Sequence, residues 1–416
     1  MHISFLFVFT GLILIGYLFE ILSPKTRIPN ILILLGLGMV AQKLVDTFHW
    51  HKPDFTSVLP ELGTVGLILI VLEGTLELHL TKSKMPLIKK TINLAFFSIL
   101  SLGSAITLWL VFQGFTVNDS ILNSIPLTII SSAIAIPTAK MLSRKDKEFI
   151  IFESSLSDIL GVTIFNFFLV NQVIDSESIL VFSGEILISL LFSLIAAIVL
   201  TFVLGRLKHK VKFVPIIALI LFLYALAKGF HLPALILILT FGLVLANIEK
   251  INLLPWFKEF DTSHLRREIH RFEEITIELT FIVRVAFFLI FGFTIDIPSL
   301  LEPNNLIFAS LIFGMIVLLR ILQLLIVRLP VFPLAFVSPR GLITILLFVS
   351  IPTSQSLPLI NQTMITQVII LTSLFMMTAT ILSSPERTSP EKDKISSNQH
   401  EEDKLDILHS NEVENH

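Results

Sequence analysis

The sequence predicts an all-α polytopic membrane protein of about thirteen transmembrane helices, built as two inverted six-helix repeats whose discontinuous helices cross near the bilayer midplane. Three observations carry this prediction. Hydrophobic residues fill 54% of the 416 positions and charged residues 15%, a balance that ordinary soluble domains do not reach. The apolar residues gather into thirteen runs separated by loops that alternate in Lys and Arg content. Two of those runs, seven apart in order, carry proline well inside them.

A helix needs about 20 apolar residues to cross roughly 30 Å of hydrocarbon. Lipid offers the backbone no hydrogen bonds, so each run must be helical. The runs are 3–22, 29–46, 59–79, 87–112, 122–142, 150–173, 178–205, 212–228, 232–248, 275–297, 305–329, 331–351 and 363–383. The first has no basic segment before it, and Lys25 and Arg27 follow it, which predicts an uncleaved span with its N-terminus outside. Alternate loops then hold Lys82/Lys84/Lys89/Lys90, Arg144/Lys145/Lys147, Arg206/Lys208/Lys210/Lys212 and Lys250/Lys258/Arg266/Arg267/Arg271, whereas the opposite set holds little beyond Lys43, Lys52 and Lys228. Short cytoplasmic loops collect such cations. The C-terminus is therefore expected inside an inner or plasma membrane. Residues 384–416 are polar, acid-rich and free of glycine, and read as a disordered cytoplasmic tail without a nucleotide-binding domain.

The organisation expected is a transmembrane domain over 1–383, with one repeat over about 1–173, a linker helix over about 178–205 and a second repeat over about 212–383. Span five reads SSAIAIPTAK from Ser131 and span twelve FVSPRGLIT from Phe336. Proline frees an upstream carbonyl and unwinds such helices unless neighbours bond to it. An odd offset of seven spans makes the second repeat inverted, and matched breaks point to a site at the repeat interface. LEGTLEL in span three and FGFTIDI in span ten form a fainter pair at the same offset.

Ionisable groups at membrane depth mark function by default. At 1.5 Å per residue, Glu73 lies about 9 Å deep, Asp158 about 12 Å, and Arg284 and Arg340 about 13 Å. In FESSLSDILG, Ser154 and Asp158 share one face of span six, while Glu153 points about 140° away from Asp158. Asp158 and Ser154 can offer oxygens to a hard cation in a watery cavity, or Asp158 can be a buried structural partner of an arginine. Glu153 needs a cation from a neighbouring helix, either Arg284 or Arg340, or else pairs at the membrane surface with Lys147 or Arg144. Arg320 reads as a snorkelling side chain about one turn shallower. The absence of cysteine excludes disulfides and thiolate metal sites, and no HExxH spacing, nucleophile motif or phosphate loop suggests an enzyme. The net charge of -2 names no partner, and nothing suggests nucleic acid.

LEGTLEL, the broken fifth span, ESSLSD and SPRGL occur in an order that resembles the cation/proton antiporter superfamily, in its sodium/proton exchanger branch, over residues 1–383. The resemblance implies a secondary active transporter that exchanges Na+, or K+ or Li+, for protons by alternating access, without a resident cofactor. It implies a homodimer in the bilayer and elevator-like exchange with Asp158, Ser154, Glu73 and Ser132 around the cation. It also implies that Glu153 forms an ion pair with a core arginine. Two positions depart from the family pattern: Ser157 stands where asparagine is usual, and Ser132 to Ala135 replace a threonine-aspartate-proline sequence, with proline displaced to Pro137. The altered fifth span permits a second reading, a sensor on the antiporter fold, and the helix breaks suit a third, a passive cation channel.

Overall fold

The computed structural model describes residues 28–49, 58–76, 84–139, 141–171, 175–206, 213–230, 232–247 and 262–382, with 10–11, 13–19, 54–55 and 78 between and before them. The tail over 384–416 and the cationic positions Lys25, Arg27, Lys250 and Lys258 lie outside the described residues. Among the described residues the regular elements are helices, with no strand. Residues 13–19 are helical and belong to the first span. The next five helices are α1 (Asn30–Thr47), α2 (Val58–Leu76), α3 (Met85–Phe112), α4 (Val117–Thr128) and α5 (Ser132–Ala139). They are followed by α6 (Arg144–Val170), α7 (Ser176–Arg206), α8 (Phe213–Gly229) and α9 (Ala234–Ala246). The last four are α10 (Thr262–Thr294), α11 (Pro303–Ile326), α12 (Leu342–Val349) and α13 (Gln362–Leu382). Eight helical stretches are long and apolar enough to cross a membrane, so the chain is a multi-pass membrane protein.

Each predicted span has its helical counterpart, with two differences. Span five is split into α4 and α5, and span twelve consists of turns over 331–336, an extended stretch and the short α12. Two helices that start outside the apolar runs are capped by short polar side chains. Thr116 accepts from the Asp119 amide before α4 at 3.3 Å, and Ser143 accepts from the Asp146 amide before α6 at 3.3 Å.

Packing divides the described helices into two bundles. Helices α1, α2, α7, α8, α9 and α10 form one, led by the contact of α10 with α1 and α2. Helices α3 to α6 and α11 to α13 form the other, and α6, α2 and α12 join the two. The split helix occupies the middle of its bundle: its window over Val117–Ala139 is 89% buried, against 18% for Ser176–Val199 in α7. Glycine permits the close crossing of α1 with α10. A Cβ on Gly38 would lie 2.8 Å from the Gly292 Cα and the Phe293 nitrogen, which no side chain could accommodate without moving backbone.

Candidate functional site

Three successive amides at the break in span five leave the helical ladder for acceptors elsewhere in the fold. The Ile130 N–H donates to Ser157 Oγ at 3.0 Å, the Ser131 N–H to the Pro339 carbonyl at 2.9 Å, and the Ser132 N–H to Asp158 Oδ2 at 3.2 Å. The helix is interrupted where these bonds are made, at 129–131. The expectation that proline would set the break in span five is therefore corrected. Pro126 lies inside α4 and Pro137 inside α5. In span twelve the extended stretch over 337–341 does contain Pro339, and the bond from Ser131 ties the two breaks together. Gly341 makes that crossing possible, because a Cβ there would lie 2.7 Å from Ser131 Oγ.

Asp158 sits against this crossing, 2% exposed. Its Oδ2 accepts from both the amide and the hydroxyl of Ser132, while Oδ1 is buried with no partner among the described residues. The hydroxyls of Ser131 and Ser155 are likewise buried without partners. A buried carboxylate oxygen is costly unless it holds a proton or meets a positive charge, so this geometry suits either occupant. Ser154, on the same helix, turns its hydroxyl back to the Ile150 carbonyl at 2.8 Å. Glu73 is half-buried in α2, and its neighbour Gly74 lies against α6 so closely that an added Cβ would be 3.0 Å from Ser155 Oγ. Ser131, Ser155 and Ser157 thus join the surroundings of the site. Serine hydroxyls carry no sequence signal of their own.

Glu153 is paired with Arg320, which corrects the expectation that Arg284 or Arg340 supplies its partner and that Arg320 snorkels. The bidentate pair has Arg320 Nη2 to Glu153 Oε2 at 2.6 Å, with Nη1 bonded to Oε1, and both side chains are buried. Arg320 also donates from Nε and Nη2 to the Leu334 carbonyl at 3.3 Å. It so connects α6 and α11 to the turns that lead into the second break. Arg340 instead donates from Nε to the Leu127 carbonyl at 2.6 Å and from Nη1 to the Ser338 carbonyl at 2.9 Å. Leu127 is the residue whose helical donor, the Ser131 amide, has gone to Pro339. Arg340 therefore caps the end of α4. Replacing it by alanine is expected to orphan two buried carbonyls and cost about 2–5 kcal/mol. A denaturation midpoint in detergent within error of wild type would contradict that. Arg284 donates to the Ala133 carbonyl at 3.3 Å.

A multi-pass bundle whose two interrupted helices bond each other beside a buried carboxylate has the architecture of a secondary transporter. Residues 8–385 match the family described as sodium/hydrogen exchanger, transmembrane, and the chain belongs to that family. The structure is similar to that of the sodium proton antiporter MjNhaP1 from Methanocaldococcus jannaschii at pH 8, with a TM-score of 0.66 and 19% identity over 92% of this chain and 99% of that one. A second structure of MjNhaP1, from an electron-microscopy map, matches with a TM-score of 0.64 and 20% identity over 92% of this chain and 96% of that one. At such identity these likenesses establish the fold. No curated protein matches the chain in sequence.

Proposed function

We propose that this protein exchanges a monovalent cation, sodium in the first instance, for protons by alternating access, with Asp158 as the group that both occupants share. The observation that carries the reading is the asymmetric carboxylate: Oδ2 is fixed by Ser132, and Oδ1 is buried at the crossing of the two breaks with no partner among the described residues. A bare carboxylate in a low-dielectric interior is costly to move. Protonated or cation-loaded, the site is neutral and can cross. Competition of the two occupants for Oδ1 then couples their fluxes in opposite directions, without a continuous pore.

The family and the naming of MjNhaP1 as a sodium proton antiporter support sodium as the cation. In this reading the hydroxyls of Ser132, Ser154 and Ser155 and the carboxylate of Glu73 supply the oxygens that complete its coordination. In this reading the bundle holding α4, α5 and α12 is the moving part, and the bundle with α1, α2 and α7 to α10 is the scaffold and homodimer surface. The inverted repeats over 1–173 and 212–383, the plasma-membrane location and the cytoplasmic C-terminus belong to the same proposal. The test is purified protein in liposomes containing a pH-sensitive dye, under a proton gradient, with Na+, K+ or Li+ added in turn. Cation-triggered dissipation of the gradient is expected. A folded, inserted protein that stays silent with all three would favour the sensor reading, and conductance indifferent to the proton gradient would favour a channel.

A further inference from the structure

One half-buried arginine stands near the site without an acidic partner among the described residues. A cleft runs between the start of α1 at Asn30, the α5 residues Ala133, Pro137 and Thr138, and Arg284 and Phe288 of α10. Arg284 is the charged residue of that lining. Its guanidinium makes no ion pair among the described residues and bonds the Ala133 carbonyl at 3.3 Å. That carbonyl is available for a reason written in the sequence. Pro137 lies four residues on and has no N–H to give it. Ala133 in turn follows Ser132, whose amide and hydroxyl hold Asp158. The displaced proline, the arginine and the carboxylate are therefore linked through two adjacent residues of one short helix.

A neutral donor such as glutamine would satisfy the carbonyl equally well. What arginine adds is a fixed positive charge on the wall of the cleft, about 10 Å from the carboxylate by this chain of contacts. At an effective permittivity near 20, a unit charge at that distance changes an occupancy equilibrium by about tenfold. We propose that Arg284 sets the affinity of the cation site: anchored on the carbonyl that Pro137 frees, its charge opposes cation binding at Asp158 and favours release into the cleft. The inference rests on the exchange reading for its purpose, and on the cleft geometry for its substance.

The experiment measures 22Na+ binding to detergent-purified wild type, Arg284→Gln and Arg284→Lys, at a pH alkaline enough that binding no longer rises, and then exchange by the same proteins in liposomes. Arg284→Gln is expected to bind sodium about tenfold more tightly and to show a correspondingly lower KM, whereas Arg284→Lys, which keeps the charge, stays within about twofold of wild type. Should the glutamine variant not purify as a single species, Arg284→Met takes its place with the same expectation. Unchanged affinity on removing the charge overturns the inference, as does a lysine variant shifted as far as the glutamine one, since only hydrogen-bond geometry would then matter. Tighter binding without any exchange, wild type included, supports the role of Arg284 and sinks the exchange reading. Absence of sodium binding in all the proteins sinks both.

Discussion

Asp158→Asn is expected to reduce cation-coupled proton flux to the background of empty liposomes while leaving the protein folded. An amide keeps the shape of the carboxyl group, and its oxygen can still accept from the Ser132 amide and hydroxyl that now bond Oδ2. Its NH2 group would replace Oδ1, which has no protein partner, so the penalty is that of one buried, unpaired neutral donor, about 1–3 kcal/mol. Function should respond differently in kind. The amide can neither release a proton nor balance a cation's charge, and a coupled carrier without an exchangeable charge has nothing to couple. Flux in the liposome assay and the denaturation midpoint of the same preparation check the two halves separately. Retained exchange would remove Asp158 from the mechanism, whereas loss of both flux and folding would leave it a structural residue.

Spans are legible in this sequence because each is decided locally: an apolar run of sufficient length must be helical in lipid, whatever packs beside it. The position of the first break is not local. It is set by Ser157, Asp158 and Pro339, which approach the 130–132 amides from other elements, and neither the run SSAIAIP nor its proline indicates which residue unwinds. Pro137 has a consequence one turn upstream, at Ala133, where a guanidinium rather than a helical amide meets the carbonyl.

Asp158 stands out in the sequence because a carboxylate deep in an apolar run needs an explanation. Arg320 is not placed by the same reasoning: counted from a span end at 329 it lies as deep as Arg340, and counted from the end of α11 at Ile326 about one turn shallower, so depth alone does not say whether it snorkels. A better signal lay in periodicity. Ala309, Ile312, Ile316, Arg320 and Gln323 recur at spacings of three and four and form the buried face of α11. An arginine on that stripe has to find an acid inside the protein. Depth measures distance from water along one axis only, and the face of the helix decides whether a neighbour shields the charge.

Removing that arginine is expected to be among the most destabilising single substitutions in the chain. Arg320→Met preserves much of the side-chain volume but leaves Glu153 buried and unpaired in α6, together with a Leu334 carbonyl that has lost two donors. Breaking a buried pair from one side typically costs about 3–5 kcal/mol, because the surviving charge keeps its desolvation penalty and loses its compensation. The origin of the loss is separable. If it is the orphaned carboxylate, adding Glu153→Gln to Arg320→Met should restore most of the stability, leaving about 1–2 kcal/mol for the unsatisfied carbonyl. If it is instead the tether from α11 to the 331–336 turns, the double variant should be no better than the single one, and exchange should fall with it because Pro339, five residues past Leu334, would no longer meet Ser131. Detergent denaturation midpoints of the two variants, with the liposome assay alongside, separate a pair that merely cancels its own burial from one that positions the second break.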